Sequence, residues 1–336
     1  MIFLREYLYV DPEKVKGIAS QLFEGIPEST EETASSGNKM QIGSSRIAFV
    51  AREKGTDFVE KKSITDAIFP ALEDDLEAQG FLVDISDFVS NQELFDSGDI
   101  AKKFPPGTLV RITSDARLID PRFFARVLSG FATAVSGFDG LEEKDSDQQK
   151  PNRGNRNQNA RNKNEVATPV VNIEDAIPEI PKGALDGAID GFSTFQMRAM
   201  VKILRGIYPE GVSMSLSPVG VDGPAISVRL QEGRQYLDAA PETLFGQYGL
   251  NLQEWTVVGT IGYHATNSIE STVKAGAFTE QEGLNRGKFI AFINETLNSM
   301  GQSGFLQLPQ APGFSLIPLA VYRSIPKHAF EDSDQV

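Results

Sequence analysis

The chain lacks cysteine and has little of several other residues on which enzyme sites depend. Of its 336 residues none is Cys, two are His and one is Trp. Without cysteine there is no disulfide, no thiolate zinc site and no cysteine nucleophile. The histidines, His264 and His328, are 64 residues apart, so a His-based metal motif and a conventional Ser-His-Asp triad are not expected. The sequence therefore indicates no catalytic residue, no metal and no cofactor, and it leaves enzymatic activity open.

Nucleotide and membrane signatures are also missing. Neither Gly-x-x-x-x-Gly-Lys-Ser/Thr nor Gly-x-Gly-x-x-Gly after a strand occurs, and no Gly-x-Ser-x-Gly marks a hydrolase serine. No apolar run approaches the roughly 18 residues that span a bilayer. The apolar start of the chain is far too short for a signal peptide. We expect a cytoplasmic protein without membrane contact, and the absence of cysteine fits a reducing compartment.

Positive charge is scarce and concentrated in one segment. The net charge is −14. Residues 1–140 carry 15 basic and 23 acidic side chains, and residues 165–336 carry 11 and 19, so each part has a charge of −8. Residues 150–164 carry five basic side chains, no acidic ones and six Asn. Acidic folded parts argue against a broad nucleic-acid face.

The basic segment predicts a disordered linker, because it has too little apolar surface to offset the entropy of ordering. Its positive charges are candidate contacts for a polyanion such as nucleic acid, although no aromatic residue is interleaved for base stacking. The candidates are Lys150, Arg153, Arg156, Arg161 and Lys163.

Chain length and the mixture of patterns predict an α+β fold with mostly antiparallel sheets and flanking helices. We predict an N-terminal α+β segment at 1–140, a disordered linker at 141–166, a C-terminal α+β segment at 167–330 and an acidic tail at 331–336. One alternative stays open. A sheet that draws strands from both segments would make the linker an insertion within a single body.

Local patterns predict particular elements. The cleanest is a hairpin in which Val212, Met214 and Leu216 alternate with serines, and Ile226, Val228 and Leu230 form the partner strand. Asp11-Pro12 predicts a helix start. Pro318 suggests that the strand at 314–325 lies at a sheet edge. Further strands are expected near 3–10, 40–52, 81–85, 108–112 and 256–263, and further helices near 63–79 (kinked or split at Pro70), 120–131, 193–207 and 282–300.

Helical periodicity also predicts which side chains point inward. In the helix after Asp120 they are Phe124, Val127, Leu128 and Phe131; in the helix near 282–300 they are Phe289, Phe292, Ile293 and Leu297.

Carboxylates and aromatic residues supply the remaining candidates. Asp74-Asp75 is the densest acidic pair but falls on the polar side of a helix, and helix capping already accounts for Asp11. Trp255, Tyr7 and Tyr9 are candidate interface residues if they are exposed; a core position is the alternative for Trp255.

Three stretches resemble a family of uncharacterised bacterial proteins. The first is Arg5-Glu6-Tyr7-Leu8-Tyr9-Val10-Asp11, followed by Val15 and a helix that ends in Ser20-Gln21-Leu22. The others are 107–112 (Gly-Thr-Leu-Val-Arg-Ile) and 255–259 (Trp-Thr-Val-Val-Gly). The resemblance spans most of the chain but not the linker. It implies a bacterial cytoplasmic protein of unknown function.

Three functions remain as hypotheses. The first is a non-enzymatic binding or regulatory protein with an unknown protein partner. The second is an enzyme or nucleotide-signal sensor that uses Asp/Glu, Arg and Tyr. The third is weak nucleic-acid binding through the linker.

Overall fold

The computed structural model describes residues 4–22, 58–142, 177–178, 193–230, 237–266, 279–280 and 283–326, with only the backbone at 58–67, 139–142, 279–280 and 283–284. The chain forms two compact units. The first combines Met1–Asp120 with Gly211–Val336, and the second is Pro121–Glu210. The second unit is thus inserted into the sequence of the first.

The described elements include both strands and helices along the whole chain. The strands are β1 (Leu4–Val10), β2 (Leu82–Asp84), β3 (Leu109–Ile119), β4 (Ser213–Leu216), β5 (Ile226–Arg229), β6 (Gln253–His264), β7 (Thr279–Glu280), β8 (Gly283–Leu284) and β9 (Phe314–Ile325). The helices are α1 (Pro12–Leu22), α2 (Phe58–Ala78), α3 (Ser86–Val89), α4 (Gln92–Asp96), α5 (Asp99–Lys103), α6 (Pro121–Glu142), α7 (Thr194–Ile207), α8 (Pro241–Tyr248) and α9 (Arg286–Gln302).

Five strands of the first unit close into a barrel. β3, β4 and β5 form an antiparallel meander, β5 pairs with β9 in parallel, and β9 pairs with β6, which returns to β3. Outside this ring, β1 pairs with the second half of β9 and β2 pairs in parallel with the first residues of β3. Each barrel strand therefore has a neighbour on both sides.

The strand order of the ring is that of an OB-fold barrel, a five-stranded Greek-key arrangement. Along the chain the five strands are β3, β4, β5, β6 and β9. Around the barrel the fifth lies between the third and the fourth, giving the order β3, β4, β5, β9, β6. Helix α8 lies between the third and fourth strands in sequence and buries Leu244 and Tyr248 in the barrel core. Two long connections interrupt the pattern, one between β3 and β4 and one between β6 and β9.

The barrel takes strands from both halves of the sequence, so strands on either side of the predicted linker share one sheet. The prediction of mixed helices and strands is confirmed. The sheet is not purely antiparallel, because β2 pairs with β3, and β5 with β9, in parallel. Residues 141–142 end α6, and the rest of the predicted linker at 143–166 lies outside the described residues.

The described buried residues of the first unit form two hydrophobic clusters. One fills the barrel and includes Met214, Leu216, Val228, Trp255 and Phe314. The other lies between the barrel wall and the helices α1 and α2, where Val258 and Tyr322 meet Phe69, Leu72 and Leu76.

Helix α1 begins as predicted. The Asp11 carboxylate accepts a hydrogen bond from the Lys14 backbone N–H at 3.0 Å, and an ion pair at 2.7 Å holds it to the Lys14 ammonium. This cap satisfies one of the free N–H groups at the helix start.

The second unit contains the helices α6 and α7. They pack through Ala125, Leu128, Ala132, Met197 and Val201, and Ile177 adds to the same core. Ser193 and Gln196 form a capping box at the start of α7.

Several predictions about faces and edges are wrong. Phe124 and Val127 of α6 are 49% and 46% exposed, because Ala125, Leu128 and Ala132 form the buried stripe. Ile293 and Leu297 of α9 are 38% and 43% exposed. Helix α2 continues through Pro70, so of the two predicted effects of this proline the split does not occur.

Strand β9 is central in the barrel and not at an edge. Pro318 lies between the β5-paired residues 314–316 and the β1-paired residues 320–325. On the other side it is opposite Gly259 of β6, next to a shift in register, and such irregular positions tolerate proline. The strand predicted at 40–52 and the tail at 331–336 lie outside the described residues.

Candidate functional site

The outer surface of β4 and β5 carries small polar side chains between two arginines. Because strand residues alternate between faces, burial of Met214, Leu216, Ile226 and Val228 turns their neighbours outward. We call this surface the barrel face. Its residues are Arg117 of β3, Ser213 and Ser215 of β4, Ser227 and Arg229 of β5, and Ser315 of β9, all half-buried.

The strand registers align these residues in rows across the barrel. Arg117 lies opposite Ser215, Ser215 opposite Ser227, and Ser227 opposite Ser315. In the next row Ser213 lies opposite Arg229. With strands about 4.8 Å apart and about 3.3 Å per residue, the Cα atoms of Arg117 and Arg229 are roughly 12 Å apart across the face.

Larger side chains lie at the edges of the barrel face. Tyr263 of β6 lies opposite Ser315 and is 42% exposed, and Ile317, two residues along β9, is 48% exposed. The Arg229 guanidinium donates to the Gln307 side-chain oxygen at 3.1 Å. Small hydroxyl side chains in the middle let a ligand approach the strands closely, while the edges offer charge and an aromatic ring.

A second polar cluster lies under helix α2 and is centred on Glu73, whose side chain is 1% exposed. The guanidinium of Arg5 forms an ion pair with the Glu73 carboxylate at 2.9 Å, and that of Arg111 forms one at 3.1 Å. The Arg5 contact does not have the geometry of a hydrogen bond. The Tyr322 hydroxyl donates to the same carboxylate at 2.7 Å. Glu73 therefore joins α2 to three strands, β1, β3 and β9.

Arg111 extends this cluster toward solvent. It donates to both oxygens of Glu77 at 2.9 Å and to Asp84 at 2.9 Å. Burial raises the pKa of Asp84, but hydrogen bonds from Ser86 and Arg111 outweigh it and hold this pKa below its usual value. The charged groups neutralise one another within the fold, which is typical of a structural network.

Tyr322 makes the cluster sensitive to alkaline pH. Burial, together with the Glu73 charge, raises the pKa of the Tyr322 hydroxyl well above its usual value. As pH rises above about 10, the unfolded chain loses this proton first, so the free energy of unfolding falls by up to about 1.4 kcal/mol per pH unit. We expect Tyr322→Phe to remove this contribution to the slope of unfolding free energy against pH.

The measurement is urea unfolding at several pH values between about 9 and 11.5. Tyr263→Phe, at an exposed tyrosine, is the matched control and should keep the wild-type slope. Identical slopes for wild type and Tyr322→Phe would contradict the assignment.

Arg323 organises a third, more exposed cluster. It pairs with Glu6 at 2.5 Å, while the Tyr248 hydroxyl donates to the other Glu6 oxygen at 3.1 Å. The Arg323 guanidinium also lies 5.1 Å from the centre of the Tyr248 ring and 5.6 Å from that of Trp255. Hydrogen bonding to Arg323 lowers the pKa of Glu6, and burial together with Glu6 raises the pKa of Tyr248 to about 12.

The predicted interface residues lie mostly inside the fold. Trp255 is 2% exposed and packs edge-on against Tyr248, and Tyr9 is 1% exposed. Tyr7 is half-buried against Phe69 and Tyr322. Trp255 and Tyr9 therefore do not meet the condition of exposure on which their candidacy depended, and Trp255 occupies the core position that was its alternative. The candidate polyanion contacts at 150–163 lie outside the described residues.

The remaining candidates from the sequence include His264 and the Asp74-Asp75 pair. A ring nitrogen of His264 lies 2.8 Å from the Phe104 carbonyl oxygen. Asp74 is exposed, as its place on the polar side of the helix predicts. Within the described residues, no three His, Asp or Glu side chains form a group that could hold a metal ion.

Sequence reasoning missed the barrel face and Glu73. The serine alternation in β4 and β5 was visible, but only the strand pairing brings Arg117 and Ser315 beside it. Glu73 was detectable as an acidic residue within the apolar stripe of Phe69, Leu72 and Leu76.

Comparison with known proteins identifies a family but no characterised relative. The family described as Domain of unknown function (DUF6414) matches residues 4–322, so the chain belongs to it. The resemblance to an uncharacterised family is confirmed. No curated protein and no solved structure matches the chain. Over the described residues, no helix is long and apolar enough to cross a membrane.

Proposed function

We propose that this member of the DUF6414 family is a non-enzymatic binding protein and that it binds its ligand on the barrel face. The observation that carries the proposal is the strand order of the closed barrel. In OB-fold barrels, ligands such as oligonucleotides and oligosaccharides bind across the second and third strands. Here these strands are β4 and β5, whose outer side chains are Ser213, Ser215, Ser227 and Arg229.

A long connection within the first unit supports the same surface. In OB-fold barrels the loops after the first and fourth strands flank the ligand. In this chain the connection after the fourth strand runs from β6 to β9 and contains helix α9. A fold alone does not specify a function, but the chemistry of the barrel face also suits a ligand, because its hydroxyl and guanidinium groups supply hydrogen bonds.

The alternative of an enzyme built from Asp/Glu, Arg and Tyr has less support. These residue types do meet around Glu73, but the side chain is 1% exposed and is paired with Arg5 and Arg111. A catalytic group must reach its substrate. The Glu73 cluster fits a structural role better.

Thermal-shift measurements with Ser215→Trp test the proposal. A panel of single-stranded oligonucleotides, oligosaccharides and short charged peptides should contain a ligand that raises Tm, as expected for binding to the folded state. The bulky indole should abolish this shift by covering the middle of the face, while Tm without ligand stays near that of wild type. Ser90→Trp, at an exposed serine after α3, is the matched control.

Two results would overturn the proposal. A ligand shift that survives Ser215→Trp would locate binding elsewhere. Mass-spectrometric detection of a ligand chemically changed by the protein would make it an enzyme.

A further inference from the structure

We infer that the ligand of the barrel face is a single-stranded nucleic acid; this inference rests on the proposed function. The face holds Arg117 and Arg229 in a chain whose net charge is −14. Acidic proteins repel polyanions over most of their surface, so cations matter where a polyanion must bind. An uncharged oligosaccharide can accept hydrogen bonds from the two guanidiniums but gains no charge attraction, whereas phosphate groups gain both charge attraction and bidentate hydrogen bonds.

The arrangement of the two arginines suits an extended backbone. They lie on β3 and β5, the two strands that flank β4, and the strand spacing puts them roughly 12 Å apart. A ligand strand that crosses β4 and β5 meets both. The hydroxyls of Ser215 and Ser227 lie between them, where they can donate to phosphate oxygens or accept from sugar hydroxyls.

An aromatic ring on which a base can stack lies at the β9 side of the barrel face. Tyr263, 42% exposed, lies across from Ser315, and the apolar side chain of Ile317 is 48% exposed beside it. An exposed aromatic ring near arginine side chains is a combination that holds unpaired bases. A double helix cannot present a base face to Tyr263, so we expect preference for single strands.

Fluorescence anisotropy with labelled oligomers of about 20 thymidines or uridines, long enough to cover one OB-type site, measures the binding. We expect binding at low salt that weakens as salt increases. Arg117→Gln and Arg229→Gln should each weaken binding about tenfold. Each should also make the slope of the logarithm of the binding constant against the logarithm of the salt concentration less steep by about 0.7. Tyr263→Ala should weaken it about tenfold with an unchanged salt dependence.

Control variants locate the contact. Lys16→Gln removes the same charge on the exposed side of α1 and should bind like wild type. Deletion of 150–164 removes the basic segment and should leave the effects of Arg117→Gln and Arg229→Gln in place. The Tm of each variant establishes that it is folded.

Each outcome decides between the two proposals. If the oligomers bind but only the deletion abolishes binding, the basic segment is the contact and the inference is wrong. If an uncharged hexasaccharide or a peptide binds in a manner blocked by Ser215→Trp, and the oligomers do not, the ligand class is wrong while the proposed face stands. If no probe binds, both fail.

Discussion

Replacing Glu73 by Ala is expected to cost the protein about 3 kcal/mol of unfolding free energy. The variant leaves the guanidiniums of Arg5 and Arg111 without their shared carboxylate, and it removes the acceptor of the Tyr322 hydroxyl. Breaking a buried pair by removing one partner typically costs about 3–5 kcal/mol, because the remaining charge stays desolvated. The side chains of Arg5 and Arg111 are 15% and 19% exposed, which favours the lower end of that range.

Urea unfolding followed by the fluorescence of Trp255, the chain's one tryptophan, measures this cost. Glu77→Ala is the matched control, since Glu77 lies one turn along α2, binds the same Arg111 and is 50% exposed. Its loss should cost no more than about 1 kcal/mol, as expected for a surface pair. Equal effects of the two substitutions would show that burial of Glu73 does not govern the energy.

A double substitution separates the charge from the packing. Removing Glu73 together with Arg5, as Glu73→Leu with Arg5→Met, should destabilise the protein less than Glu73→Leu alone. Apolar replacement of both members of a buried pair avoids the unpaired charge and is often nearly neutral. A double variant less stable than the single one would mean that the unpaired charge costs little and that Arg5 stabilises the fold through other contacts, such as its guanidinium 5.0 Å from the centre of the Tyr322 ring.

Local structure was predictable where a short-range pattern determines it. The alternation of Met214 and Leu216 with serines predicts a strand with one buried face, and the structure pairs it with Ile226 and Val228 as expected. Asp11-Pro12 likewise predicts the start of α1 from two adjacent residues. These signals need no knowledge of the rest of the chain.

Strand partners far apart in sequence were not predictable. β3 pairs with β6 through Ile112 and Val257, residues 145 positions apart, and nothing in either segment specifies the other. The barrel, and with it the barrel face, depends on such pairings. Pro318 indicated an edge strand, but a gap between two partner strands accommodates a missing N–H equally well.

Periodicity predicts an apolar stripe but not what covers it. Ile293 and Leu297 of α9 share a stripe with Ile290 and Met300, and the described structure leaves all four at least 38% exposed. Glu73 is the opposite case, a charged side chain that the fold buries because Arg5 and Arg111 arrive from distant strands. In both cases the neighbouring element, and not the local sequence, decides burial.

The second large effect is expected at Gly313, where the barrel closes. Gly313 precedes β9, and a Cβ at this position would lie 2.1 Å from the backbone oxygen of Ala225 and 2.9 Å from that of Gln310. Both are backbone atoms, so no side-chain rotation relieves the overlap. The start of β9 must then move away from the start of β5.

That movement affects the parallel pairing that closes the ring. Ile226 lies opposite Phe314, and both side chains are fully buried in the barrel core. Displacing a packed strand in this way typically costs about 1–3 kcal/mol and occasionally more. Because backbone pairing and core packing are lost together, we expect Gly313→Ala to lower the free energy of unfolding by about 3 kcal/mol.

Gly246→Ala in α8 is the matched control, since a Cβ there has no atom within 4 Å and alanine favours a helix by about 1 kcal/mol. It should be neutral or stabilising in the same urea measurement. Hydrogen exchange at the amides of 226–229 and 314–316 should accelerate only in Gly313→Ala, because these amides lie where the two strands separate. Ser227 and Ser315 of the barrel face meet across this pairing, so Gly313→Ala should also weaken ligand binding. A Gly313→Ala variant with wild-type stability and wild-type hydrogen exchange would contradict the close approach of β5 and β9.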